Sequence, residues 1–447
     1  MKIVHLVPGT GSFFCGSCLR DHALARQMRR LGHEVLLAPL YLPLVLERDL
    51  DEPAPPIFFG GINVYLQQKF GWFQSTPRWL DRWLDAPGML RLLGRRAAST
   101  RAADLGRLTI SMLRGEEGAQ RKELNRLVTW LAANDKPDVV CLSNGLLAGL
   151  ARRIKQRIGV PVICTLHGED AFLDNLAPPY CDEAWELLTD RAADVDRFVA
   201  VSHYYGRSMQ QRLHLDPARL RIVHNGIELD DLEPASSAPA QPILGYLARM
   251  CADKGLKTLA DAFILLRQRA RVGPVRLHVA GAMTGADRPF LQELRKSLRN
   301  AGLLDAVSFE PNCDRSRKVA FLRQLSVFSV PATYGEAFGL YVLEALACGV
   351  PVVQPRHAAF PEILALTGGG TLCAPDDTMA LAVAIEAVLL DQPRARQQAL
   401  AARAKVLELF SAARMAHQIA GIYRDATAAT RSDDRTATTP RWQAAPV

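Results

Sequence analysis

An α/β protein of two doubly wound, Rossmann-like units facing each other across a cleft is what this sequence predicts. Three observations lead there. The chain of 447 residues is too long for one ordinary core and suits two α/β units of roughly 150–200 residues each. Short apolar runs alternate with helix-spaced segments almost throughout, as parallel sheets with crossover helices require. The alternation stops at a stretch rich in Pro, Ala and Ser, Glu233 to Pro242, and then starts again.

Taken in order, Lys2–Val7 reads as a first strand and Leu19–Leu31 as a helix ended by Gly32-His33. Glu34–Ala38 is a second strand. The pattern lapses from about Tyr41 to Asn125, a helical or irregular insertion holding Trp72, Trp79 and Trp83 among several arginines. It resumes with Val139–Ser143, Ala148–Ile158, Val162–Thr165 and Phe198–Val201, closing a first domain at residues 1–235. The second domain, residues 243–410, has strands at Ile243–Tyr246, Val275–Ala280, Val307–Phe309, Val327–Val330 and Val350–Gln354. A helix follows at about 411–426, and the polar segment 427–447 is expected to be disordered.

Composition narrows the class. Hydrophobic content of 49% with 22% charged residues excludes a fibrous or wholly disordered chain. A net charge of +8 favours anionic partners such as nucleotide diphosphates or an acidic membrane surface. Nine cysteines without framework spacing suit a reducing compartment. The longest apolar run, Val35 to Leu46, is broken by Pro39 and Pro43 and is too short to span a membrane. A cytoplasmic protein is expected, with peripheral contact at the inner face of a membrane if the three tryptophans lie on it. Those tryptophans suit a fold over the first domain's core somewhat better.

The strongest motif runs from Pro331 to Pro351. A strand ends at Val330, a loop follows, and a helix opens at Phe338-Gly339-Leu340 before a stop at Gly349. The amides opening that helix suit a phosphate. Glu344, just inside it, can accept both hydroxyls of a ribose, and Glu336 in the loop can reach sugar hydroxyls. A second element, Arg249 and Lys254-Gly255 after the strand Ile243–Tyr246, supplies a planar fork and a flexible point charge for a diphosphate. In the first domain, Gly9, Gly11 and Cys15-Gly16-Ser17-Cys18 join the first strand to its helix. No second cysteine pair or Cys/His cluster of zinc spacing accompanies Cys15 and Cys18, which sets a redox or metal reading behind a loop reading.

Glu336 and Glu344, seven residues apart with Phe-Gly between, resemble the E-x7-E motif of retaining glycosyltransferases of family 4. The resemblance extends from the first strand to about Arg424. It implies the two-domain GT-B fold and a nucleotide-diphosphate sugar as co-substrate, with no cofactor and no metal. It implies that Glu336 contacts the transferred sugar, Glu344 the ribose, and Arg249 and Lys254 the diphosphate. Gly11, Gly16 and Ser17 resemble the small-residue loop facing the donor phosphate, where the family more often has Gly-Gly. His167, in Thr165-Leu-His167-Gly-Glu169-Asp170, resembles the histidine near the reacting carbon. Gly281 is expected to admit the donor by close backbone approach, Asn225-Gly226 to be a structural turn, and the helix at about Ala412–Tyr423 to cross back to the first domain. Family members often carry Gly-Gly before Pro361-Glu362, where this chain has Ala358-Ala359-Phe360, so base and sugar preference do not carry over.

The activity so implied is transfer of a hexose, by default from a uridine diphosphate sugar, to a glycan, lipid-linked or small-molecule acceptor with retention of configuration. A nucleotide-sugar epimerase of the same fold would convert donor without acceptor. A non-catalytic membrane- or glycan-binding relative would lack the charged set that this chain retains. An NAD oxidoreductase would want a clean Gly-x-Gly-x-x-Gly, which the first loop does not supply.

Overall fold

A computed structural model describes residues 1–9, 16–41, 102–133, 136–237 and 239–437. Trp72, Trp79 and Trp83 lie outside the described residues, as does Gly11.

The first domain is a six-stranded parallel sheet in the order β2-β1-β3-β4-β5-β6. Its elements are β1 (Lys2–Val7), α1 (Gly16–Arg30), β2 (Glu34–Pro39), α2 (Ala102–Arg114), α3 (Arg121–Ala133), β3 (Val139–Leu142), α4 (Ala151–Ile158), β4 (Val162–Leu166), α5 (Glu169–Leu173), α6 (Tyr180–Ala192), β5 (Arg197–Ala200), α7 (His203–Arg212) and β6 (Leu220–Ile222). Every residue of β3 and β4 is buried. Both faces of these strands are covered by helices, which is why they read as unbroken apolar runs rather than alternating ones.

The second domain holds β7 (Ile243–Leu247), α8 (Leu256–Arg269), β8 (Arg276–Gly281), α9 (Arg288–Asn300), β9 (Val307–Pro311), α10 (Arg315–Arg323), β10 (Val327–Phe328), α11 (Leu340–Ala347), β11 (Val353–Pro355), α12 (Phe360–Thr367), β12 (Thr371–Cys373), α13 (Thr378–Leu390) and α14 (Gln392–Leu409). Its sheet runs β10-β7-β8-β9, and a bridge from Phe328 to Val352 leads on to the parallel pair β11-β12. The expected strand over Val327–Val330 is cut to two residues because the chain beyond Phe328 already turns into the loop toward Gly339.

The last helix, α15 (Ala412–Ala437), returns to the first domain. Ile227 and Ser411 form a parallel bridge at the crossing, and the Ala412 amide donates to the Ile227 carbonyl at 3.0 Å. Met415, Ala416, Ile419, Ala420 and Tyr423 then recur at helical spacing and pack into one core with Ile3, Val35, Leu37 and Val139. The helix continues past Thr427 to Ala437, which corrects the expectation of disorder over 427–437, while residues 438–447 lie outside the described residues. That expectation rested on polar composition, whereas Thr427, itself buried, extends the packed stripe by one more turn.

Candidate active site

In an open parallel sheet, ligands bind beyond the carboxyl ends of the strands where the strand order reverses. The second sheet reverses at β7, with β8 and β9 on one side and β10 on the other. The loops after β7 and β10 therefore meet there, and they carry Arg249 with Lys254 and Glu336 with Phe338-Gly339-Leu340. The first sheet reverses between β1 and β3, directing the start of α1 into the same space. A cavity of about 470 Å³ lies between the two domains at these ends. Its lining brings together His167, Arg249, Lys254 and Glu336 with Gly16, Ser17, Gly281, Phe338, Gly339, Leu340 and Glu344.

On the wall formed by the second domain, each of these cations is held by a carboxylate. The Arg249 guanidinium donates to Asp287 from Nη2 at 2.9 Å and from Nε at 3.2 Å. Asp287 is buried and also accepts the amide and hydroxyl of Thr284, at 2.8 and 2.7 Å. Burial alone would raise its carboxyl; the Thr284 and Arg249 donors overcome that and hold it below the usual aspartate range. Lys254 Nζ donates to Glu336 Oε2 at 2.6 Å, and the hydroxyls of Tyr341 and Tyr334 donate to the same oxygen at 2.8 and 3.0 Å. Burial again pushes Glu336 up, and the charge and hydrogen bond of Lys254 prevail, keeping it below the ordinary glutamate range. Lys318 Nζ donates to Glu344 Oε1 at 2.8 Å.

Two glycines let the backbone come this close. Gly339, with φ of 91°, is the residue before α11, and a Cβ there would sit 3.2 Å from Phe360. Gly281 at the end of β8 has φ of 130°, and a Cβ would lie 2.0 Å from the Ala248 carbonyl oxygen. Both positions lie in a backbone region favouring glycine; at Gly281 there is no room for a side chain, and at Gly339 one would press on the Phe360 ring.

The first domain's wall is built differently. His167 follows β4, and its Nε2 lies 2.6 Å from the Ser143 carbonyl oxygen at the end of β3. A carbonyl only accepts, so Nε2 carries the hydrogen. The buried Glu169 shapes the loop around it, accepting the amides of Gly145, His167 and Gly168 at 2.8, 2.9 and 3.1 Å and the Tyr205 hydroxyl at 2.8 Å. Asn225, read from the sequence as a structural turn, also lines the cavity, and its Oδ1 accepts from Arg20 Nε at 3.2 Å.

Asp287, Lys318, Tyr334 and Tyr341 escaped the sequence reading. Asp287 had a signal, since Thr284-Gly-Ala-Asp287 has the spacing of a capping box after a strand. Lys318 had another: it shares the buried face of α10 with Phe321 and Leu322, where a lysine wants an acidic partner.

Residues 230–405 match the family described as Glycosyl transferases group 1, and residues 111–231 match Glycosyltransferase Family 4. The D-inositol 3-phosphate glycosyltransferase of Mycolicibacterium smegmatis is 30% identical over 271 residues, which are 58% of this chain and 61% of that relative. A D-inositol 3-phosphate glycosyltransferase from Acidothermus cellulolyticus is 29% identical over 319 residues, 68% of this chain and 70% of the relative. The chain thus spans about three fifths of the length of several curated relatives it matches, 59% for one from Mycobacterium sp. strain JLS. Among solved structures, sucrose-phosphate synthase from Thermosynechococcus elongatus superposes with a TM-score of 0.70 at 18% identity, covering 96% of this chain and 99% of that one. Anabaena HepE in complex with UDP-glucose superposes with a TM-score of 0.64 at 17% identity, covering 95% and 100%. At such identities the superpositions speak for the fold, two Rossmann-like domains of the GT-B type. The two family matches adjoin, and over residues 111–405 the chain is similar to glycosyltransferases of group 1 and of family 4.

Proposed function

We propose that the protein transfers a hexose from a nucleotide-diphosphate sugar, by default a uridine one, to a hydroxyl of a glycan, lipid-linked or small-molecule acceptor with retention of configuration. The observation behind this reading is the convergence of Arg249, Lys254, Glu336 and Glu344 on one cavity at the strand-order reversal of the second domain. A diphosphate leaving group gains negative charge as the glycosidic bond breaks, and fixed cations aimed at it lower the barrier. Asp287 holds Arg249 through Nε and Nη2, which leaves Nη1 for a phosphate oxygen. The amides opening α11 take a second phosphate oxygen. Lys254 and the two tyrosines fix Glu336 Oε2, which leaves Oε1 for a sugar hydroxyl. Glu344 accepts from the ribose, and His167 stands on the opposite wall beside the reacting carbon. The departing diphosphate oxygen takes the acceptor proton on the same face, so the charge is met by side chains and amides and the scheme calls for no metal.

A thermal-shift screen against nucleotides and nucleotide sugars, with Glu344→Ala as control, tests this reading. Ligand at 100 times its dissociation constant stabilises a fold by about 2.7 kcal/mol. A shift with one diphosphate sugar, lost in the control, is expected. Silence across the panel, or a shift with NAD alone, would overturn the proposal. Conversion of the donor without any acceptor would replace transfer with epimerisation.

A further inference from the structure

We propose that His203, His224 and Glu362 form a divalent-metal site of the zinc type that clamps the two domains together at their seam. The three residues come from three separate pieces of the chain. His203 is the first residue of α7 in the first domain, and His224 lies in the segment leaving β6 toward the second domain. Glu362 sits in the first turn of α12, in the second domain. One potential ligand atom from each lies within 4.8 Å of the others.

The geometry is close to what one ion needs. Tetrahedral zinc with nitrogen or oxygen ligands at 2.0–2.1 Å places those atoms about 3.4 Å apart. The site must therefore tighten by roughly an ångström, a change within reach of the exposed His203 side chain. The two imidazoles already meet edge to face, with centroids 5.9 Å apart and planes at 64°.

The other two ligands are pre-positioned. Glu362 Oε1 accepts the His203 amide at 2.9 Å, and Oε2 accepts the Tyr204 amide at 3.0 Å. His224 is wedged beside Phe338 and Phe410, with centroids 6.1 and 5.6 Å away. Support of this kind around the ligands is what orients them in metal sites. His224 Nε2 and Glu362 Oε1 lie 2.7 Å apart. A bound ion would replace that contact with one bond to each atom and add His203. Three protein ligands leave a fourth position for water, and two imidazoles with a carboxylate suit zinc better than magnesium or calcium.

The position gives the ion a consequence. Ser202, beside His203, donates to the Ala337 carbonyl at 2.7 Å, and Ala337 and Phe338 line the cavity. A metal cross-link there holds the domains at one spacing and slows the opening on which product release depends.

The test uses the full chain stripped of metal by chelation. Cobalt(II) serves as the spectroscopic probe, and zinc is measured by competition with a chelating dye. The expected result is one equivalent bound, visible bands without thiolate charge transfer, and a raised melting temperature with zinc. His203→Ala keeps the backbone amide on Glu362 and so leaves the fold intact; His224→Gln keeps a hydrogen-bond donor toward Oε1. Each should weaken binding by at least about 10-fold. Absence of binding at millimolar cobalt, a thiolate band, or unchanged affinity in both variants would overturn the site. These readouts require no donor, so the proposal stands or falls apart from the assignment of the sugar-transfer reaction.

Discussion

The two walls of the cleft follow opposite electrostatic plans. On the second domain's side, charge faces charge: Arg249 on Asp287, Lys254 on Glu336, Lys318 on Glu344. On the first domain's side, His167 hangs from a backbone carbonyl and its loop is organised by one glutamate bonded to three amides and a tyrosine. A wall of paired ions presents strong local charge without leaving any of it buried alone. A wall of backbone bonds presents shape. The first plan suits a diphosphate whose charge grows during reaction, and the second suits holding one ring at a fixed place.

The comparison can be broken most severely at Lys254. Lys254→Met strands the Glu336 carboxylate and, in the proposed reaction, removes a cation from the leaving group. Turnover should fall on the order of 10³-fold, and stability should fall by about 3 kcal/mol, as when one partner of a buried pair is lost. Adding Glu336→Gln should recover the melting temperature and not the turnover, which separates the two effects by calorimetry and steady-state rates. Arg249→Ala comes next. Its guanidinium is half exposed, so the fold should tolerate the change, while loss of a charge-assisted contact should cost about 10- to 100-fold in rate. Full activity in that variant would dissociate Arg249 from the diphosphate. On the opposite wall, Glu169→Gln replaces an acceptor of four donors with a group that must donate from one side. Loss of kcat by about 10-fold with an unchanged donor KM is expected, and a rise in KM alone would show that the first wall binds donor rather than placing His167.

The smallest effect sharpens the picture of the charged wall. Glu336 has its folded pKa depressed, so its contribution to stability is present above the unfolded value and is lost as pH falls through the folded one. Unfolding midpoints measured from about pH 6 downward should drop below the ordinary glutamate pKa, near 4.3. Glu336→Gln should flatten that acid limb relative to its own plateau. An unchanged limb would mean that Lys254 does not stabilise the ionised carboxylate.

Legibility differed between the walls for physical reasons. Strand runs, the Gly339 turn and the Glu336–Glu344 spacing are local features, and periodicity with turn chemistry makes them readable. Pairing is not local: Arg249 and Asp287 are 38 residues apart, and Lys254 and Glu336 are 82 apart. Only the strand order β10-β7-β8 brings those pairs together. Tyr341 was hidden for another reason, since an aromatic on α11 reads as core, and most of its ring is core while its hydroxyl reaches Glu336. The short strands β6 and β12 went unread because three residues carry too little alternation to register.

The return of α15 has a consequence for how the chain comes into being. Ile3, Val35, Leu37 and Val139 belong to the opening third of the sequence, yet the core they share with Leu24, Ala25 and Met28 of α1 is completed only by residues from Met415 onward. During synthesis that apolar face must wait, covered only in part by α1, while the entire second domain is made. At 5–20 residues per second the interval is on the order of ten seconds or more. The first domain to be translated is thus the last to be finished. Any event that ends translation short of Met415 leaves a nascent sheet with one face incompletely covered, a substrate for chaperones and proteases rather than half an enzyme.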